Sequence, residues 1–488
     1  MAGIRRRYPP AKCFLLFLLA ANIFCSDGSP NHSVHLFRTH EPMRLRSESI
    51  LASLAAGNRT SLSPPGSSFS ATTLSRIFSV TNYGADPMGI ADSTEAFKLA
   101  LADASRSPGN HHLMSDIADL GGSEIDLGGG TYLISSPIVL PCNPVGNFKI
   151  HSGSLRASDN FPSDRYVIEL RSNSSQSSDN FNSEFVTISG IMVDANNRGG
   201  GISVLNSLRT TIIGCYIVHF STDGIHVDSG HETLITNSFI GQHITAGGSW
   251  LEKQYSGTGI RLMSNDNMIT DVIIFSAAVG ILVAGQANTI TGVHCYNKAT
   301  SFGGTGIYLK LPGLTQTRIT NCYMDFTSIV AEDPVQLYIS GSFFLGDANV
   351  VLRSVKGVMR GVHIVGNMFD GSGADISIVQ LDETAGAFTA VDRVVVGPNS
   401  VEGMHVTSTV GKASVSGNGT MWAVDFKPLL LFTNRIDSVQ YAFLLDGTKF
   451  PGHALRSVSE NRVVIESAAA VQATVYVQVE QCGGTMRM

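Results

Sequence analysis

The chain has 488 residues, enough for one large core with an appendage, and a net charge of −6. Its 50 glycines and only 15% charged residues suit a β-rich repeat with tight turns rather than a helical protein. The charge argues against a nucleic-acid partner, whose phosphates nothing here neutralises in bulk, but a local basic patch would still admit an acidic sugar polymer.

Arg5, Arg6 and Arg7 precede an apolar run from Cys13 to Phe24, too short to span a bilayer. Residues 1–26 therefore read as a secretory signal, so the mature chain is expected outside the cell and off the membrane. Residues 27–74 are rich in Ser, Arg and Pro without periodicity and read as a disordered leader. Asn31, Asn58, Asn173 and Asn418 open Asn-x-Ser/Thr triplets and are candidate glycosylation sites.

A helix is expected from Asp92-Ser-Thr-Glu-Ala-Phe97 onward, with an apolar face at Ala96, Leu99 and Ala100. Such a helix can seal the open end of a solenoid. A strand, a Gly turn and a second strand follow over 121–135. The chain then writes one phrase five times: Gly201-Ile-Ser-Val204, Gly224-Ile-His-Val227, Gly259-Ile-Arg-Leu262, Gly280-Ile-Leu-Val283 and Gly306-Ile-Tyr-Leu309. The spacings are 23, 35, 21 and 26 residues. Ile212, Ile235, Ile269, Ile290 and Ile319 run in step, each followed two residues later by Gly214, Asn237, Asp271, Gly292 or Asn321. Gly and Asn relax the backbone there, and stacked Asn side chains can bond between coils. This rhythm predicts an all-β fold, a right-handed parallel β-helix, over residues 75–400. Residues 401–488 lose the period and alternate instead, as in Val475-Tyr-Val-Gln-Val479, which predicts an antiparallel β appendage.

Cys215 and Cys322 fall in one column four coils apart, ~19 Å at ~4.8 Å per step, which is too far for a disulfide. They are expected to be small buried core residues. Cys142 with Cys482 is a second conceivable pair. No Cys/His spacing resembles a metal site, and no cofactor is expected.

Phe78-Ser-Val-Thr-Asn-Tyr-Gly-Ala-Asp86, the Asp92–Phe97 helix start and Gly128-Gly-Gly-Thr-Tyr-Leu-Ile134 resemble the entry segment of pectin-lyase-like β-helix proteins. The whole chain resembles the plant polygalacturonases of the QUARTET type, which act on pectin. Polygalacturonases carry Asn-Thr-Asp, Gly-Asp-Asp, Gly-His-Gly and Arg-Ile-Lys on successive coils. By register, Ser221-Thr222-Asp223-Gly224 matches the first and keeps its Asp, and Tyr308-Leu309-Lys310 matches the last and keeps its Lys. Gly257-Thr258, or alternatively Gly241-Gln242-His243, stands where the paired Asp would fall, and Val279-Gly280 where the His would. The resemblance implies the fold and a pectin substrate, while the standard catalytic set does not transfer.

Within each phrase Ile and Val face inward, so Ser203, His226, Arg261, Leu282 and Tyr308 form an outward row, with Asp228 and Lys310 two positions on. His226, Arg261, Tyr308 and Lys310 make a candidate track for a polyanionic sugar, Arg as a fork and Lys as a point charge. Hydrolysis needs two carboxyl groups ~6.5–9.5 Å apart for inversion. Asp223 and Asp228 are candidates but lie up to ~16 Å apart on an extended strand. An inserted stretch, residues 246–255, offers Trp250 as a sugar-stacking face and Glu252 as a replacement acid. His226 with Asp228 is a further pair.

The leading expectation is a secreted, monomeric glycoside hydrolase cutting α-1,4-galacturonan by acid/base hydrolysis. A pectate or rhamnogalacturonan lyase working by β-elimination is the nearest alternative. A non-catalytic pectin-binding β-helix is a third reading from another class.

Overall fold

The computed structural model describes residues 76–140, 144–171, 181–242, 256–296, 303–310, 316–448 and 450–481. The repeated phrase is the first strand of each coil: Gly200–Leu205, Asp223–Asp228, Thr258–Leu262, Val279–Val283 and Thr305–Leu309. These strands pair in parallel, with Ile202, Ile225, Ile260, Ile281 and Ile307 in one register column. All five isoleucines are 0% exposed. They form the middle of a ten-stranded parallel sheet running from Ile138–Leu140 to Val379–Asp382. The fold is the right-handed parallel β-helix that the repeat predicts.

The phrase begins with Gly for a steric reason. A Cβ on Gly224 would stand 2.6 Å from the Gly259 carbonyl oxygen and 2.6 Å from Ile240 Cγ2. The first strand presses its backbone against the facing wall of the coil here, and only hydrogen fits. Gly201, Gly259, Gly280 and Gly306 meet the same wall at Ile217, Ile274, Cys295 and Met324.

The second and third strands of a coil, such as Leu234–Thr236 and Phe239–Gly241, join a 24-stranded sheet. A single left-handed residue separates them, with φ of 63° at Gly214, 48° at Asn237, 53° at Asp271, 64° at Gly292 and 54° at Asn321. This one-residue bend is why Gly, Asn and Asp alternate in that column. The interlocking amide ladders lie in other columns: Asn288 Oδ1 accepts from the backbone N–H of Asn267 at 2.9 Å, and Asn399 Oδ1 from that of Asn367 at 2.9 Å. The amides there satisfy the backbone of the preceding coil.

The helix is Thr94–Ala104, and Asp92, one residue before its N-cap Ser93, accepts from the Thr94 N–H at 3.1 Å. It buries Ala96, Phe97, Ala100, Leu101 and Ala104 over the first coils, with Phe97 edge-on to Tyr132 at 5.3 Å. Leu99, expected on that face, is instead 58% exposed. The face is centred on Phe97, Ala100, Leu101 and Ala104, and a residue two positions after Phe97 points away from it.

Beyond the last parallel strand, Ser400–Glu402, four antiparallel strands follow: Val410–Asp425, Ser438–Leu445, His453–Ser459 and Arg462–Glu480. They bury their own cluster, including Trp422, Phe426, Ile465, Val475 and Val477. Cys215, Cys295 and Cys322 are free, buried thiols. Burial pushes the Cys215 and Cys322 thiols up to about 11, so they act as core residues. Cys142 and Cys482 lie outside the described residues. Among the described residues, no helix is long and apolar enough to cross a membrane.

Candidate functional site

The outward row on the ten-stranded sheet reads Glu169, Ser203, His226, Arg261, Leu282, Tyr308 on six consecutive coils. At ~4.8 Å per coil it is ~24 Å long. Because the Cβ direction of Gly224 is inward, Asp223 just before it turns to the outer face. There it is only 4% exposed. Tyr166 Oη donates to its Oδ2 at 2.7 Å, and Arg261 Nε donates to its Oδ1 at 2.9 Å. Both carboxylate oxygens are therefore engaged, one by a neutral donor and one by a cation.

Tyr166 lies two coils from Asp223, and Gly200 stands between them. A Cβ on Gly200 would be 2.3 Å from Tyr166 Cδ1. The bare glycine lets the tyrosine ring cross the intervening strand and reach the aspartate. Burial, reinforced by the neighbouring Asp223 carboxylate, pushes the Tyr166 phenol well above its usual range, so it stays a donor.

His226 stacks on the same ring, centroids 5.8 Å apart at 24°. Burial lowers its proton affinity below the ordinary imidazole range, Arg261 adds to that, and Asp223 and Asp228 act against it. An imidazole between two carboxylates and beside a guanidinium, on the outer face of the sheet, is equipped to move a proton.

Asp223, His226 and Arg261 thus come together, but the other nominated residues do not all join them. Asp223 and Asp228 sit at opposite ends of one continuous strand, about 16 Å apart by strand rise, so they do not flank one bond together. Tyr308 lies two coils beyond Arg261, with the 8% exposed Leu282 between. Its hydroxyl donates to Glu332 Oε1 at 2.5 Å and accepts from Arg353 Nη1 at 3.2 Å, while Arg353 Nε reaches Asp382 at 2.8 Å. Tyr308 is therefore tied into its own charged cluster. Lys310 is exposed and makes no ion pair among the described residues. Trp250 and Glu252, with Asn58 and Asn173, lie outside the described residues, and Asn418 is exposed on the strand Val410–Asp425.

Among the described residues, the carboxylate-pair signature is absent in space as it is in sequence. The row through Asp223 continues as Thr258, Val279 and Thr305. Gln242, the alternative placement, is 4% exposed and bonds the Phe220 and Ser256 carbonyls, a structural task. Asp271 is one of the left-handed bend residues. Among the described residues, no three His, Cys, Asp or Glu side chains gather as a metal-binding group.

Sequence reasoning missed Tyr166 and Glu169. Glu169 is 3% exposed and held by Arg165 at 2.7 Å and Arg171 at 2.9 Å. Their strand, Tyr166–Leu170, lacks the Gly-Ile phrase that marked its neighbours. The available signal was charge: Arg165, Glu169 and Arg171 crowd a strand otherwise apolar at Val167, Ile168 and Leu170.

A stacked sheet whose outer face carries an aspartate, an arginine, a histidine and an exposed lysine defines a parallel β-helix of the pectate-lyase-like class. The chain belongs to the family described as rhamnogalacturonase A/epimerase, pectate lyase-like, which matches residues 77–326. It is 55% identical over 445 residues, 91% of this chain and 92% of the other, to the protein named Polygalacturonase QRT3 of Arabidopsis thaliana. Among solved structures, ORF18 of Geobacillus virus E2 is similar in fold alone, with a TM-score of 0.52 and 12% identity, covering 90% of this chain and 81% of that one.

Proposed function

We propose that the chain hydrolyses the α-1,4 bonds of polygalacturonate laid along the ten-stranded sheet. The observation that carries the reading is the Tyr166–Asp223–Arg261 cluster beside His226, in a chain 55% identical to a protein named polygalacturonase. Water attacks the anomeric carbon and gives its proton to Asp223. The bond from that carbon to the leaving O4 breaks, and His226 in its protonated form gives O4 a proton. Asp228, on the other side of His226, strengthens the imidazole's hold on that proton. The free N–H groups of Arg261 and the exposed Lys310 hold uronate carboxylates along the track. The basic and then apolar start of the chain, from Arg5 to Phe24, supports export to the wall.

One observation favours a second reading. Burial favours the neutral form of His226, and a neutral imidazole beside Arg261 can remove the C5 proton of a uronate. The C4–O bond then breaks, a C4=C5 double bond forms, and the leaving oxygen takes a proton.

The two readings give opposite pH profiles. Hydrolysis needs His226 protonated, so turnover rises as pH falls through a value below 6.5. Elimination needs it neutral, so turnover falls over the same interval. Reducing-end release without ultraviolet-absorbing product, with the first profile, supports hydrolysis. An unsaturated product with the second profile replaces it with elimination.

A further inference from the structure

The outer face of the antiparallel sheet carries a site that the groove chemistry does not use. An open cavity of about 470 Å³ lies over the middle of three adjacent strands, Val410–Asp425, Arg462–Glu480 and Ser438–Leu445. Strand alternation builds it. Val475, Val477 and Val479 point into the core and are at most 2% exposed, so Tyr476 and Gln478 point out.

Two cross-strand rows line the cavity. In the first, Tyr476 stands between Ser414 on one neighbouring strand and Ala442 on the other. Both flanking residues are small, so the ring stands clear of its neighbours, and Tyr476 is 51% exposed. Its hydroxyl has no hydrogen-bond partner among the described residues. The second row, two residues along, reads Lys412, Gln478, Gln440. Lys412 and Gln440 are exposed, and neither has a hydrogen-bond or ion-pair partner among the described residues. Gln478 Nε2 donates to Glu480 Oε1 at 3.2 Å, which leaves its carbonyl oxygen as an acceptor toward the cavity.

We propose that this face is a second, non-catalytic saccharide site that takes one hexuronate unit of a polysaccharide. The rows stand ~6.6 Å apart along the strand and their members ~4.8 Å apart across it, the dimensions of a pyranose ring with its substituents. Tyr476 offers an exposed aromatic face to the apolar face of the ring, and it costs little side-chain entropy to do so. The amides of Gln440 and Gln478 meet ring hydroxyls as both donors and acceptors. The Lys412 ammonium at the end of the row supplies the counter-charge for a carboxylate, which a neutral sugar would leave unused. An extended peptide fits less well. Its backbone needs the edge of a sheet, whereas this cavity lies on the face, centred on Arg462–Glu480, which is paired on both sides. The inference goes beyond the groove chemistry and stands without it, because a chain that cuts nothing can still bind here.

The test is retention of the full chain in affinity electrophoresis through gels containing polygalacturonate or a neutral galactan. Each variant is checked by its melting temperature against wild type. Tyr476→Ala should weaken retention on both polymers, by about tenfold in affinity. Lys412→Met should weaken it on polygalacturonate alone, by a similar factor. Val458→Ala, 38% exposed on the remaining strand of the sheet, should change neither. Wild-type migration unaltered by either polymer overturns the proposal, and so does wild-type retention of both site variants. An equal loss on the neutral polymer for Lys412→Met overturns the uronate assignment. Tyr476→Phe guards against a folding artefact, since it keeps the ring face and should retain most of the binding. If it binds as poorly as Tyr476→Ala while melting normally, ring stacking is not the source of affinity.

Discussion

Arg261 and Asp223 form a pair whose two halves differ in their access to water, and this sets the cost of breaking it from either side. The Asp223 side chain is 6% exposed and the Arg261 side chain 35%. Arg261→Met strands the carboxylate with Tyr166 alone. Breaking a buried pair costs about 3–5 kcal/mol, and the half-open arginine side reduces that to about 2–3 kcal/mol. Asp223→Asn keeps the shape and the Tyr166 contact, and the freed guanidinium can reach solvent, so about 1 kcal/mol is expected. With both changes no charge is left unpaired, and the double variant should lose about 2 kcal/mol rather than the sum of 3–4. The expected coupling of about 1.5 kcal/mol is measurable from urea unfolding midpoints of the four proteins at constant slope. Additivity within about 0.5 kcal/mol would refute the pairing and with it the geometry assigned to the site.

Further outcomes follow from the same cluster and core. Gly200→Ala should act at a distance as Tyr166→Phe does, because its Cβ would stand 2.3 Å from the tyrosine ring. Both should lower kcat on polygalacturonate by about tenfold or more, as expected for losing one hydrogen bond to a charged group, and unchanged kinetics in Tyr166→Phe would show that the bond is idle. Burial places the folded-state value of His226 below the ordinary 6.5, so the unfolded chain binds the proton more readily. The stability this contributes is complete above pH 6.5 and is lost as pH falls through the folded value. Wild type should therefore lose stability relative to His226→Gln as the pH drops below 6.5, and melting curves that run parallel across pH would contradict the burial. Cys215, Cys295 and Cys322 should resist iodoacetamide in the native protein and react after denaturation, as peptide mapping can check; rapid native labelling would mean these columns are not core.

The coil was readable in the chain because its constraints are local and repeat. A glycine that admits no Cβ, an inward Ile and a left-handed bend residue each recur at every turn, so period and register follow from residue identity. The site was only half readable. Asp223, His226 and Arg261 sit on two neighbouring repeats, and the outward alternation brings them together. Tyr166 belongs to a strand with no copy of the phrase and reaches Asp223 only because Gly200 is bare, a contact over 57 positions that no periodicity encodes. Tyr308 was placed on the correct row but with the wrong freedom. Its partners Glu332 and Arg353 come from later coils whose first strands, Ser328–Glu332 and Val350–Arg353, carry no Gly-Ile phrase. Leu99 was assigned to the wrong helix face because apolar identity alone does not fix the centre of that face.

The central claim is that the Asp223 cluster cuts a polyuronate chain with water. The most direct measurement is the release of reducing ends from polygalacturonate by wild type and by Asp223→Asn, with absorbance of the products followed in the same samples. Steady release by wild type, no ultraviolet-absorbing product, and a loss of at least about a hundredfold in the variant at unchanged fold are predicted. Equal rates in the two proteins, or no new ends from wild type, would contradict it.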